Sequence, residues 1–219
     1  MPPIILYSMD GSPPCRAVLM VREILGLEMN IKMTNPIAGD TQKPEFLEKN
    51  PTHSIPLIEE GDFALSDSHA IITYLVSKYG AEKRATLYPS DLRVRATVDQ
   101  RLFFDASILF PRLRAVVESF VVNKAKEVSP ELQAKVEEAY GMIEKYLERS
   151  PFIATDHITL ADIACVATVT SMDAIAPIDP KFAKTLEWIN NVKQHDWYEK
   201  GNAPGLAMFS GFVKSLIQP

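Results

Sequence analysis

The chain has 219 residues, 47% of them hydrophobic and 23% charged, with a formal net charge of −5. That balance suits a folded protein, and an acidic chain with scattered Lys and Arg argues against nucleic acid or an anionic membrane as partner. Two cysteines (Cys15, Cys165) and four dispersed histidines (His53, His69, His157, His195) make neither a disulfide framework nor a metal motif, and no apolar run is long enough to cross a bilayer. The start, Met1-Pro2-Pro3-Ile4, lacks the basic and apolar regions of a signal peptide, so a reducing, cytoplasmic location is expected.

The run Ile4-Ile5-Leu6-Tyr7 predicts a short strand, broken by Met9-Asp10-Gly11-Ser12. Pro13 and Pro14 suit a first helical turn, Val18, Val21, Ile24 and Leu25 carry helical spacing, and Gly26 sits where a helix would stop. A second strand is expected over 27–33, a short helix over 43–47, a hairpin around Glu60-Gly61-Asp62 and a helix over 68–79. The order β-α-β-α-β-β-α is an α/β unit, assigned to residues 1–82. After a polar, turn-rich stretch, residues 91–219 show helical periodicity and almost no strand alternation, which predicts an all-α second domain. Its helices are expected near 91–122, 130–149, 159–174, 180–194 and 204–217, the third opened by a capping box, Thr159-Leu160-Ala161-Asp162.

Three segments of the first unit suggest chemistry. Ser12-Pro13-Pro14-Cys15 lies between a strand and a helix N-terminus, where a thiolate would be stabilised. A hydroxyl at the first place excludes an internal disulfide but can donate to a thiolate carried by a ligand; as a plain N-cap it would do no chemistry. Asn50-Pro51-Thr52-His53-Ser54-Ile55-Pro56 sets a proline before an apolar strand. A cis Ile55–Pro56 bond would leave the backbone of Ile55 open to an extended peptide. Asp67-Ser68 can cap a helix, or can take an amino-acid zwitterion between the Asp67 carboxylate and the helix N-terminus. Together the three outline a site for a thiol tripeptide.

These segments, with Gln-Arg-Leu-Phe-Phe-Asp at 100–105 and Ile-Thr-Leu-Ala-Asp at 158–162, resemble cytosolic glutathione S-transferases of the insect delta and epsilon classes, epsilon being the closer. The resemblance covers essentially the whole chain. It implies a thioredoxin-like N-terminal domain, a helical-bundle C-terminal domain and a homodimer. It implies Ser12 as the hydroxyl that activates the glutathione thiol, with glutathione as co-substrate and no metal. His53, Ser54, Ile55, Pro56, Asp67, Ser68 and His69 would form the tripeptide site. Where many members carry a histidine, this chain has Thr41, so the glycine end of glutathione is expected to be held more weakly or by His53 alone. Tyr7 is a reserve activator, because other transferase classes use a tyrosine from the first strand, and Cys15, one turn into the helix, is expected to be buried and inert.

Ile108, Arg112, Val116 and Phe120 recur every four residues on one helical face. The family builds its second-substrate pocket from this helix and the C-terminal segment, so these four and Met208 are expected to hold a small hydrophobic electrophile, while Phe103, Phe104, Phe209 and Phe212 are expected in ordinary core. The implied activity is detoxification of such xenobiotics by thiolate attack, with dehydrochlorinase or peroxidase chemistry open to the same thiolate. A non-catalytic carrier of glutathione or lipophilic molecules is the alternative.

Overall fold

The computed structural model describes residues 3–217. Its first part contains β1 (Ile4–Ser8), α1 (Pro13–Leu25), β2 (Met29–Met33), α2 (Pro44–Leu47), β3 (Leu57–Glu60), β4 (Phe63–Ser66) and α3 (Ser68–Tyr79). Gly26 ends α1 in the left-handed region (φ 64°), where its N–H and that of Leu27 satisfy the carbonyls of Glu23 and Arg22. The sheet order is β2-β1-β3-β4, with β1 parallel to β2 and the other pairs antiparallel. This is the thioredoxin-like layout expected from the sequence.

Strand alternation divides the sheet's residues between two cores. Ile4, Leu6 and Ile58 pack with Val18 and Val21 of α1 and with Ile71, Ile72 and Leu75 of α3. Tyr7 and Leu57 point the other way, onto Phe46 of α2.

The second part is helical, with α4 (Arg84–Leu87), α5 (Leu92–Phe104), α6 (Phe110–Val121), α7 (Pro130–Leu147), α8 (Leu160–Asp173), α9 (Ala183–Lys193), α10 (Asp196–Gly201) and α11 (Ala203–Ile217). The short α4 and α10 have no counterpart in the sequence reading. The single helix expected over 91–122 is instead two, joined by one π-helical turn, Asp105–Leu109. Pro111 is the physical reason for a break: it has no N–H for the carbonyl four residues back, so it is best placed in the first turn of a new helix.

The capping box at α8 forms and does more than cap. Thr159 Oγ1 accepts from Ala161 N–H at 3.3 Å, and Asp162 Oδ2 accepts from Thr159 N–H at 2.9 Å. Asp162 Oδ1 also accepts from Ile153 N–H (2.9 Å) and from Trp188 Nε1–H of α9 (3.0 Å). One fully buried carboxylate therefore holds a helix start, a loop and a neighbouring helix.

Two polar contacts join the parts. Arg16 of α1, with no exposed surface, donates to Asn202 Oδ1, Ser171 Oγ and, at 3.3 Å, the Ala167 carbonyl. His69 of α3 meets Asp105 of the π turn at 2.9 Å through Nε2, while its Nδ1 approaches Asp67 at 3.4 Å. Burial alone would push the imidazole down, but Asp105 and Asp67 overcome it and hold His69 up at about 9.

Two stability predictions follow from these contacts. Asp162→Ala leaves buried N–H donors of Ile153, Thr159 and Trp188 without a partner, and a loss of about 3 kcal/mol is expected in urea denaturation. Protonated His69 is favoured by folding, so its contribution is complete below the unfolded value near pH 6.5 and fades as pH rises through about 9. The wild type should lose up to about 3 kcal/mol relative to His69→Gln over that window. A constant difference between the two proteins across it would show that the pair does not titrate there.

Candidate active site

The sheet register brings the three segments of interest to one edge. Tyr7, at the C-terminal end of β1, pairs with Leu57, the first residue of β3, which pairs in turn with Ser66, the last residue of β4. The chain leaves this row at three places: through Met9–Ser12 after β1, through Ile55–Pro56 before β3, and through Asp67–Ser68 after β4. Neighbouring strands lie about 4.8 Å apart, so β1 to β4 spans about 10 Å. An extended tripeptide reaches about the same length.

Ser12 occupies the N-cap position of α1 with extended backbone (φ −79°, ψ 120°), yet its side chain makes no capping hydrogen bond. The two prolines narrow the choice of donor to one. A cap hydroxyl accepts from the N–H of the second or third helical residue; Pro14 has none, and Pro13 has none either. Of the first three helical residues only Cys15 carries an N–H, so this helix start offers one donor in place of the usual set. The Cys15 side chain itself is fully buried, and burial pushes its thiol up despite the nearby Ser12 and Ser8 hydroxyls, which makes it inert. Tyr7 is on the opposite side of the sheet: its hydroxyl donates to Glu59 Oε2 at 2.9 Å, accepts from Lys49 Nζ at 3.1 Å, and its ring meets Phe46 edge-on at 5.6 Å. It is a packed strand aromatic without access to the Ser12 loop.

The second segment is wound around Asn50. Buried Asn50 donates through Nδ2 to the Ser54 carbonyl at 2.8 Å and accepts from the Thr52 N–H (3.1 Å) and hydroxyl (2.7 Å). His53 takes a positive φ of 47° at the exposed tip, next to Ser54, and the Ile55–Pro56 bond is cis. Ile55 lies beyond the β1–β3 ladder, which ends at the Tyr7–Leu57 pair. Thr41, by contrast, is 1% exposed within a 3-10 turn, Asp40–Gln42, and offers no surface to a ligand.

In the third segment both expected roles of Asp67 are compatible. Oδ1 accepts from the N–H groups of His69 (2.9 Å) and Ala70 (3.1 Å) and so caps α3. The second carboxylate oxygen takes no part in this cap, in an exposed residue whose backbone sits at φ 73°, ψ 121°, outside the regions an ordinary side chain favours. The His69 side chain, whose Nδ1 lies 3.4 Å from Oδ1, is the first reason why the Asp67 carboxyl titrates below its usual range.

Beside Ser12 opens a cavity of about 480 Å³. Met9, Gly11, Ser12, Pro13, Asn35 and Ile37 form one wall, Phe110, Leu113, Arg114 and Val117 of α6 a second, and Met208, Phe209 and Phe212 of α11 a third. Of the residues expected here from the sequence, only Met208 lines it. Val116 and Phe120 are buried in the core, Ile108 packs against that core, and Arg112 turns to α7, where it bonds Glu138 Oε2 at 2.6 Å and the Lys135 carbonyl at 2.5 Å. Arg112, Val116 and Phe120 share a face of α6, but it is the face packed into the core and onto α7 rather than the one on the cavity. Phe209 and Phe212, expected in core, line the cavity, although Phe209 is also largely buried; Phe103 is exposed on α5, and Phe104 is core as expected.

The comparisons with known proteins agree with this arrangement. The family described as "Glutathione S-transferase, N-terminal domain" matches residues 6–83, and "Glutathione S-transferase, C-terminal domain" matches residues 126–193. "Glutathione S-transferase 1" of Manduca sexta is 43% identical over 215 residues, covering 97% of this chain and 98% of that protein. An epsilon-class glutathione S-transferase from the housefly, Musca domestica, superposes with a TM-score of 0.93 at 38% identity, covering 97% of this chain and 98% of that one. A glutathione transferase homologue from Drosophila mojavensis, solved with bound glutathione, gives 0.93 at 37% identity, covering 98% of both chains. With both halves matched and the fold shared over nearly its full length, the chain belongs to the glutathione S-transferase family.

Proposed function

We propose that the protein conjugates glutathione to apolar electrophiles and that the Ser12 hydroxyl holds the reacting thiolate. The observation that carries this reading is the placement of that hydroxyl: Ser12 stands at a helix start, makes no capping bond, and borders the apolar cavity. A free thiol with a pKa near 8.5 is about 3% thiolate at pH 7. Lowering that pKa by about 2 units requires about 2.7 kcal/mol of preference for the anion. One hydroxyl-to-thiolate bond, at about 1.5–3 kcal/mol, and the α1 N-terminus, at about 0.3–1 kcal/mol, together reach it. The remainder of the acceleration comes from holding thiolate and electrophile side by side.

In this reading the cysteine of glutathione lies at Ser12, its backbone runs along Ile55 before cis Pro56, and its γ-glutamyl zwitterion meets Asp67 and Ser68, with His69 behind them. His53 and Ser54 flank the glycine end, since buried Thr41 cannot reach it. The electrophile occupies the cavity with its apolar body against Phe110, Val117, Met208 and Phe212, and Arg114 at the margin suits a polar or anionic substituent. The carrier alternative is favoured by the apolar cavity alone and gives no role to the Ser12 hydroxyl at its edge. The reading extends to residues 1–82 and 91–219 as the two domains, to a cytoplasmic location and to a homodimer. Among the described residues no helix is long and apolar enough to cross a membrane. Phe103, 71% exposed on α5, is the kind of aromatic a partner subunit would cover.

The test is turnover of an activated aryl halide with glutathione. Ser12→Ala should lose up to about twentyfold in kcat/KM at pH 7, following the lost thiolate fraction, while Tyr7→Phe keeps full activity. Undiminished turnover by Ser12→Ala would sink the mechanism, and none by the wild type would favour the carrier. Sedimentation velocity tests assembly: the wild type should run as a dimer, and Phe103→Glu should shift it toward monomer.

A further inference from the structure

The loop that carries Ser12 and the helix that walls its cavity touch backbone to backbone, and a single glycine makes this possible. A Cβ built on Gly205, in the first turn of α11, would stand 2.1 Å from the Asp10 carbonyl oxygen and 2.7 Å from Arg16 Cδ. One turn later Phe209 reaches the same loop, its backbone N lying 3.9 Å from where a Cβ on Gly11 would be. Gly205 and Phe209 are four residues apart, so one face of α11 lies along Asp10-Gly11 while Met208 and Phe212 form the cavity wall opposite Ser12. The approach is held from behind by Arg16, whose guanidinium binds Asn202, just before α11, and Ser171 of α8.

We infer that Gly205 is a positioning residue which, by seating α11 on the Ser12 loop, sets the width of the electrophile cavity and so the size of electrophile accepted. This rests on the functional reading above. A carbon cannot approach a carbonyl oxygen much closer than about 3.2 Å, so a methyl group at position 205 drives helix and loop apart by roughly 1 Å. Displacements of that size change rates up to a hundredfold when they alter the approach of reacting groups. The widened cavity holds a small electrophile loosely and a bulky one better. Glutathione, bound on the far side of Ser12 along the sheet edge, is little disturbed.

The experiment compares a one-ring with a fused-ring aromatic. kcat/KM is measured for reactive versions, and Kd for unreactive ones, in the wild type, Gly205→Ala and Ser171→Ala. Gly211→Ala serves as a control on the same helix, since a Cβ there meets nothing within 4 Å. Gly205→Ala is expected to raise the fused-ring to one-ring preference about tenfold, chiefly through loss on the small compound, with KM for glutathione within about twofold of wild type. Ser171→Ala, which removes one acceptor from Arg16 without touching the cavity, should shift the preference the same way by a smaller factor and carries the test if Gly205→Ala does not fold. An unchanged preference in the soluble variants, or an equal fall for both compounds, overturns the inference. The Kd ratio decides it even if the wild type proves inactive, so a failure of the catalytic reading and a failure of this one are distinguishable.

Discussion

The structure depends on one buried cation. Arg16 lies on the first helix of the α/β unit, yet its partners are on α8 and just after α10, and all of them are neutral: an amide oxygen, a hydroxyl and a carbonyl. Burial depresses its pKa to about 10, which still leaves it charged at neutral pH. Removing such a cation from water costs several kcal/mol, and that cost is offset only while the acceptors remain in place. The contact therefore does not tolerate partial separation: either α1 sits against α8 and α10, or a bare guanidinium is left in an apolar interior. Because α1 begins at Ser12, the same constraint fixes the serine relative to the helical half of the molecule.

The helix start at Ser12 is unusual for what it omits. An ordinary N-terminus leaves several N–H groups to be satisfied, and a serine there is normally consumed by one of them. Pro13 and Pro14 remove two of those donors and leave only the Cys15 N–H in the first three helical positions, and Ser12 makes no capping bond to it. The proline pair thus costs the site part of its anion-binding backbone, and the hydroxyl stands outside the cap. For a neutral thiol that must be made anionic and held at one point, a directed hydroxyl is worth more than diffuse helix charge.

Most of the α/β unit was legible in the sequence because its signals are local. The apolar run Ile4–Tyr7, Gly26 and the Asp67 cap, like the Thr159–Asp162 box of the helical part, depend on residues within a few positions of each other, and all formed as read. The tripeptide-site segments were found for a different reason: each interrupts regular structure with residues whose backbone or polar groups are not needed for the fold. The cavity wall was missed because nothing local tells which face of α6 meets the cavity. Arg112, Val116 and Phe120 do share one face, but it packs into the core and onto α7, while Phe110, Leu113, Arg114 and Val117 line the cavity. Pro111 marked the break, but nothing local distinguishes a π turn from a simple kink. Long-range contacts such as Arg16 with Asn202, or Gly205 with Asp10, leave no periodic trace at all.

That π turn ties the two halves of the site to each other. It brings Asp105 to His69, whose other nitrogen approaches the Asp67 carboxylate, so the turn supports the expected zwitterion end of the tripeptide site from behind. Just beyond it, Phe110, Leu113 and Val117 of α6 face the cavity beside Ser12. The same five residues, Asp105–Leu109, therefore join α5 to the helix that walls the cavity and supply, beside Asp67, one of the two carboxylates that keep His69 charged.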